Sequence, residues 1–235
     1  MKIAFVASEG VPFSKTGGLA DVVGALPKAL VANGHEVEVI LPRYRMTKPG
    51  RELPQSRSLT IPLSSGFKFA SVQDGGLLGG VHFYFVECPE YFDREGLYQE
   101  NGEDYPDNAS RYAAFSLAAL EFMKRSPAAP DIIHCHDWQT ALLPIYLSNL
   151  YQEDRFFATT SVVFTVHNIA YQGLFPSHLL PQISLHAGLF TIEGLEYYPF
   201  VIPSRGTRIP SSFVGSETVI VNGPTRDDSA VAPST

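Results

Sequence analysis

Three short stretches of this chain hold side chains that could do chemistry. Lys15-Thr16-Gly17-Gly18 places a cation next to paired glycines, just ahead of a segment with helical apolar spacing. Paired glycines let backbone approach a ligand closely, and a helix start offers unpaired N–H groups to an anion, so the set suits a diphosphate. Its spacing is neither that of a dinucleotide fingerprint nor that of a P-loop, and the same residues would also serve a tight turn carrying a solvated lysine. His134, His136 and Asp137 follow one another at the end of an apolar run. Strand alternation puts the two histidines on one face, where they could meet a cation or fill polar niches, but no third ligand stands out. Asp137 and Trp138 fit sugar binding better, since a carboxylate accepts hydroxyl hydrogen bonds and an indole stacks on a pyranose, although core packing also explains the tryptophan. His167-Asn168 closes another apolar run. A histidine there can hydrogen-bond a sugar hydroxyl and stabilise separated charge, or it can be structural.

These stretches gain meaning from the elements that must carry them. Residues 2–8 (KIAFVAS) read as a strand buried on both faces, residues 35–41 (HEVEVIL) as a second, and residues 131–135 (DIIHC) and 161–166 (SVVFTV) as two more. Between the first two, apolar residues at Leu19, Val22, Val23, Leu26 and Leu30 mark a helix that Pro27 should interrupt, or whose second segment it should open, and that Gly34 should end. Further helices are expected over residues 109–125 and 139–150. Strands alternating with helices predict an α/β, Rossmann-like, doubly wound parallel sheet. Residues 56–87 differ: SLTIPL, FKFASV and VHFYFVE are short strand-like runs, separated by turns at Gly75-Gly76 and Gly79-Gly80, and predict inserted β-hairpins. Three polar segments, at residues 9–18, 136–138 and 167–173, each begin where a predicted parallel strand ends. Ligands of open α/β sheets bind outside those carboxyl ends, so their convergence predicts one site.

Composition narrows the possible partners. The 235 residues carry a formal net charge of −7 with no cluster of Lys or Arg, which argues against nucleic-acid binding. Two cysteines, Cys88 and Cys135, make no disulfide framework. No apolar run is long enough to span a membrane, and no leader precedes the first strand, so a cytoplasmic protein is expected.

Taken together, the motifs resemble a family. Ser8-Glu9 and the run from Lys15 to Val22 (KTGGLADV) are similar to the N-terminal signature of bacterial glycogen synthases and plant starch synthases. Residues 131–140 (DIIHCHDWQT) resemble their second signature, and residues 165–173 (TVHNIAYQG) their third. Tyr91-Phe92-Asp93-Arg94 with Gly96-Leu97-Tyr98 resembles their acceptor-side loop. The resemblance implies the N-terminal half of a two-domain GT-B glycosyltransferase that moves glucose from ADP-glucose to the non-reducing end of an α-1,4-glucan with retention, using neither metal nor cofactor. It implies that His167 and Asp137 are catalytic and that Lys15, Gly17 and Gly18 bind the donor diphosphate. Glu9, Trp138 and Asn168 become glucan or sugar contacts.

It also places a boundary. Residues 1–198 follow the family, whereas residues 199–235 are rich in Pro, Gly, Ser and Thr and depart from it. That tail is expected to be a loosely ordered end left by a frameshift or truncation, with only residues 216–221 resembling a strand. A chain without the second domain is expected to be inactive alone, or to act as a glucan-binding fragment.

Overall fold

A computed structural model describes residues 1–47, 57–64, 66–168 and 170–189, together with the backbone of Glu217–Val221. The chain begins with β1 (Lys2–Val6), whose unbroken apolar run is buried on both faces, as a central parallel strand requires. α1 (Gly18–Ala32) crosses over to β2 (Glu36–Pro42), which pairs parallel to β1. β3 (Arg57–Leu63), β4 (Gly66–Leu78) and β5 (Val81–Glu87) follow, then the short helix α2 (Pro89–Phe92) and a two-stranded ribbon of β6 (Gln99–Glu100) and β7 (Glu103–Asp104). α3 (Asn108–Met123) leads to β8 (Ile132–His136), α4 (Leu142–Asn149), β9 (Ser161–Val166) and β10 (Glu217–Val221).

Eight strands form one sheet in the order β10-β9-β8-β1-β2-β5-β4-β3. The five from β9 to β5 run parallel, and antiparallel pairs lie at both edges. From β1 the chain first builds toward β5 and then returns, through α3, to lay β8 on the other side of β1. The strand order therefore reverses between β1 and β8, and the loops leaving those two strands diverge there. Open α/β sheets bind their ligands at such a reversal.

Each face has its own core. Ile3, Phe5, Val39, Leu41, Phe83 and Phe85 pack with Leu19 and Val23 of α1 on one side. Ala4, Val6, Ile40, Ile133, Cys135 and Phe164 pack under α3 and α4 on the other. α3 is buried almost all round, because the sheet lies beneath it and the segment after β5 wraps over it.

Some sequence expectations need correction. Pro27 does not interrupt α1; it sits inside one continuous helix with its ring buried, the missing N–H bond being tolerated where the ring packs. Gly75-Gly76 is not a turn but a bulge within β4, with Gly76 at φ +74° and a Cβ on Gly75 coming within 2.5 Å of the Phe85 ring. Gly79-Gly80 does form the hairpin turn, at φ +61° and +82°. The hairpin strands are no separate insertion either, since β5 pairs parallel with β2 and continues the main sheet. The helix expected over residues 139–150 is divided: Trp138–Thr140 is a turn of 3-10 helix, and α4 starts only at Leu142. The boundary at 198 lies outside the described residues, as does the tail beyond it except for β10.

Candidate active site

The loop after β1 folds back as a compact turn before α1, and the Glu9 carboxylate organises it. That carboxylate is buried and accepts hydrogen bonds from the Thr16 amide, from Thr16 Oγ1 at 2.9 Å, from the Gly17 amide at 3.3 Å and from the Tyr98 hydroxyl at 3.0 Å. Expected from sequence to contact sugar, Glu9 here braces the turn before α1. Tyr98, which also meets Ser8 Oγ at 2.7 Å, ties the loop after α2 to that same carboxylate. Sequence reading placed Tyr98 in a motif without giving it this role, because a bond spanning 89 residues leaves no local signal.

Gly17 precedes α1 as its cap residue and contributes no side chain to the helix start. A Cβ on either Gly17 or Gly18 would meet nothing within 4 Å, so both glycines border open space. The amides of Thr16 and Gly17 are taken by Glu9, which leaves the next amides of the uncapped helix end for an anion. Lys15 is exposed, with Nζ 2.6 and 2.7 Å from the two carboxylate oxygens of Asp21 in the first turn of α1. An exposed pair of this kind contributes about 0–1 kcal/mol, so Lys15 can exchange Asp21 for phosphate oxygens at little cost.

β8 and β9 supply the other wall. Asp137, the residue after β8, has φ +54° and ψ −179°, a region that non-glycine residues enter at a cost on the order of 1–3 kcal/mol. Several bonds hold it there. Its amide donates to Thr165 O at 2.9 Å, its carbonyl accepts from the Thr140 amide at 3.1 Å, and its Oδ1 accepts from the His167 amide at 2.6 Å. Burial raises the Asp137 carboxyl to about 6, against the lowering effect of the His167 and Asn168 amides, and the nearby negative charge of Glu9 adds to the rise. The strained turn thus carries the carboxylate across from β8 onto the end of β9.

His167 is half-buried, its Nε2 2.9 Å from Nδ1 of the fully buried His136. His134 stacks on His136 with centroids 4.1 Å apart and reaches Thr165 Oγ1 at 2.8 Å. Both histidines therefore do face the same side, where Phe5 packs against them, and burial holds His134 near 4 and His136 well below its ordinary range. Among the described residues no group of three His, Cys, Asp or Glu side chains could hold a metal ion. Trp138 is wedged between Tyr112, Tyr98 and Phe175, with Gly173 so close that a Cβ there would lie 2.6 Å from the indole. Asn168 is exposed and turns its Oδ1 onto the Ala170 amide at 3.0 Å.

The loops expected to converge do so at the strand-order reversal, and the charge of Glu9 acts on both Asp137 and His167. The motifs contain Asp21 and Tyr98 without assigning either a contact, and the His136–His167 contact has no local signal.

Known proteins resemble this chain in sequence and in fold. Residues 2–214 match the family described as the starch synthase catalytic domain. A glycogen synthase of Koribacter versatilis is 51% identical over 214 residues, covering 91% of this chain and 44% of that protein. Glycogen synthase 2 of Geobacter sulfurreducens is 48% identical over 202 residues, covering 84% of this chain and 41% of that protein. Among solved structures, the catalytic domain of Starch Synthase IV from Arabidopsis thaliana, bound to ADP and acarbose, superposes with a TM-score of 0.71 at 32% identity, over 82% of this chain and 39% of its own. The chain thus spans less than half the length of these relatives.

Proposed function

The chain belongs to the starch synthase catalytic domain family, and from that premise we propose that it forms the acceptor-side half of a cytoplasmic, retaining glucosyltransferase that uses ADP-glucose to extend an α-1,4-glucan. The observation that carries this reading is Glu9, which accepts from the Thr16 and Gly17 amides at the open, glycine-bordered helix end while its charge acts on Asp137 and His167. In the reaction the bond from glucose C1 to the donor's phosphate oxygen breaks, and the glucan 4-oxygen bonds to C1 from the same face. The hydroxyl proton leaves with the ADP oxygen. Lys15 and the Gly17-Gly18 turn bind the diphosphate, where a local cation and free amides offset the charge that develops on the leaving group. His167 contacts the transferring glucose, and Asp137 lies beside the reacting carbon. Tyr98 and Asn168 border the sugar, with Trp138 as the wall that holds the Asp137 bend in place.

The starch synthase with ADP and acarbose supports this choice of ligands, a nucleotide and a glucan-like sugar. Turnover, in this proposal, requires the part of the relatives that the chain does not match, and the chain by itself binds glucan without extending it. The test is a chimera in which residues 1–189 replace the matching part of the Koribacter synthase. We expect it to elongate maltooligosaccharides with ADP-glucose. Lys15→Ala should raise the KM for donor more than that for glucan, and His167→Ala should lower kcat about 100-fold or more. A folded chimera without activity, or equal effects of Lys15→Ala on both substrates, contradicts the assignment.

A further inference from the structure

Three imidazoles form a row from the interior to the crevice. His134 stacks on His136 at 4.1 Å and His136 on His167 at 5.2 Å, with Phe5 packed against the inner two. Each is kept neutral by burial, and a neutral imidazole has one N–H and one bare nitrogen. The 2.9 Å contact between His136 Nδ1 and His167 Nε2 therefore needs the proton on one side and a lone pair on the other. His136 Nε2 is buried with no partner, while His167 Nδ1 is neither buried nor bonded among the described residues.

Two proton arrangements satisfy the contact. In one, His136 donates from Nδ1, its Nε2 is bare, and the proton of His167 must sit on Nδ1. In the other, His167 donates from Nε2, which leaves a buried N–H at His136 Nε2 and a bare Nδ1 on His167. Two physical terms separate them. A buried orphaned N–H is rarer than an orphaned acceptor in folded proteins. The surroundings of His167 are also anionic: the charge of Glu9 acts on its ring, and the Asp137 carboxylate sits 2.6 Å from its backbone amide. An N–H dipole is attracted by that field and a lone pair is repelled.

We propose that His136 is a positioning residue that fixes the tautomer of His167: the buried ring donates its Nδ1 proton to His167 Nε2, so that His167 always presents an Nδ1–H donor to the crevice. The use of that donor, toward a hydroxyl or phosphate oxygen of the substrate, rests on the function proposed above. The tautomer itself does not. A preset donor spares the site from choosing a tautomer each time substrate arrives.

Long-range 1H–15N correlation on the uniformly 15N-labelled 235-residue chain at pH 7.5, without ligand, reads both rings directly. The expected spectrum has pyrrole-type Nδ1 and pyridine-type Nε2 signals for His136 and for His167. A pyrrole-type Nε2 on His167 overturns the proposal. His136→Leu should move His167 toward the Nε2–H form or an average of both. His136→Asn, whose side-chain amide reaches the Nδ1 position, should restore the Nδ1–H form. A His167 that stays wholly Nδ1–H in His136→Leu shows that another group sets it, and the proposal fails. If the leucine variant does not fold, the unmodified chain and the asparagine variant still decide. Because no substrate is present, an inactive chimera would leave this result unchanged, and a wrong tautomer would leave the family assignment unchanged.

Discussion

Asp137 is a carboxylate placed where it costs stability. Its backbone occupies a conformation suited to glycine, and burial raises its carboxyl from 3.8 to about 6. A raised acid favours the folded state only while protonated, so this group's contribution diminishes as pH climbs from about 4 to about 6 and is absent above that. The histidines act in the opposite sense. His134, lowered from 6.5 to about 4, and the lowered His136 and His167 stay neutral in the fold, and their contribution is lost as pH falls below 6.5. Asp137→Asn keeps an oxygen to accept the His167 amide and removes the buried charge. We expect this variant to be more stable than the unmodified chain by about 1–3 kcal/mol at pH 7.5, with the gain shrinking as pH drops through 6. Urea unfolding at pH 7.5 and 5.0 checks it, and a loss of stability at pH 7.5 would contradict the desolvation account. A stabilising change at a residue this strained would support the role proposed for Asp137 in the chemistry.

At the scale of elements, Arg111 on α3 holds the loop between α2 and β6. The residue is fully buried, yet no carboxylate among the described residues pairs with it. Its guanidinium donates to Tyr91 O at 2.7 Å, to Asn108 Oδ1 at 2.6 Å and to Leu97 O at 3.0 Å, between the rings of Tyr105, Phe92 and Tyr112. The loop it holds ends in Tyr98, which reaches Glu9 and through it the turn before α1. Arg111→Met should therefore cost roughly 2–4 kcal/mol, since it takes the donor from the Tyr91 carbonyl and from Asn108 Oδ1, while Leu97 O keeps the Tyr112 hydroxyl. It should also speed hydrogen exchange at the amides of Thr16 and Gly17 before it affects the core of α3. Unaltered exchange at those two amides would show that loop and turn are not coupled. Parallel strands, α3 and the gathering loops were legible in the sequence, because apolar runs and polar interruptions report burial directly. Pro27 and Gly75 misled because a proline or glycine marks local backbone freedom, whereas ring burial in α1 and the Phe85 contact are tertiary facts. The site divides in the same way. Lys15, Asp137 and His167 lie in contiguous motifs, but the links from Tyr98 to Glu9 and from His136 to His167 exist only once distant strands are side by side.

For the whole molecule, the sheet puts a helix end and a carboxylate–histidine pair on the two sides of its strand-order reversal, at the margin of a crevice. The central claim is that both sides meet the same substrates. It is tested most directly by amide chemical-shift mapping of the 15N-labelled 235-residue chain, titrated with ADP-glucose and separately with a maltooligosaccharide. The account predicts that ADP-glucose shifts the amides of Lys15, Gly17, Gly18 and Leu19 together with those of Asp137 and His167, and that the glucan shifts those of Tyr98, Asp137 and His167. Saturating shifts elsewhere on the molecule with these residues unmoved, or no shift with either ligand, would contradict it.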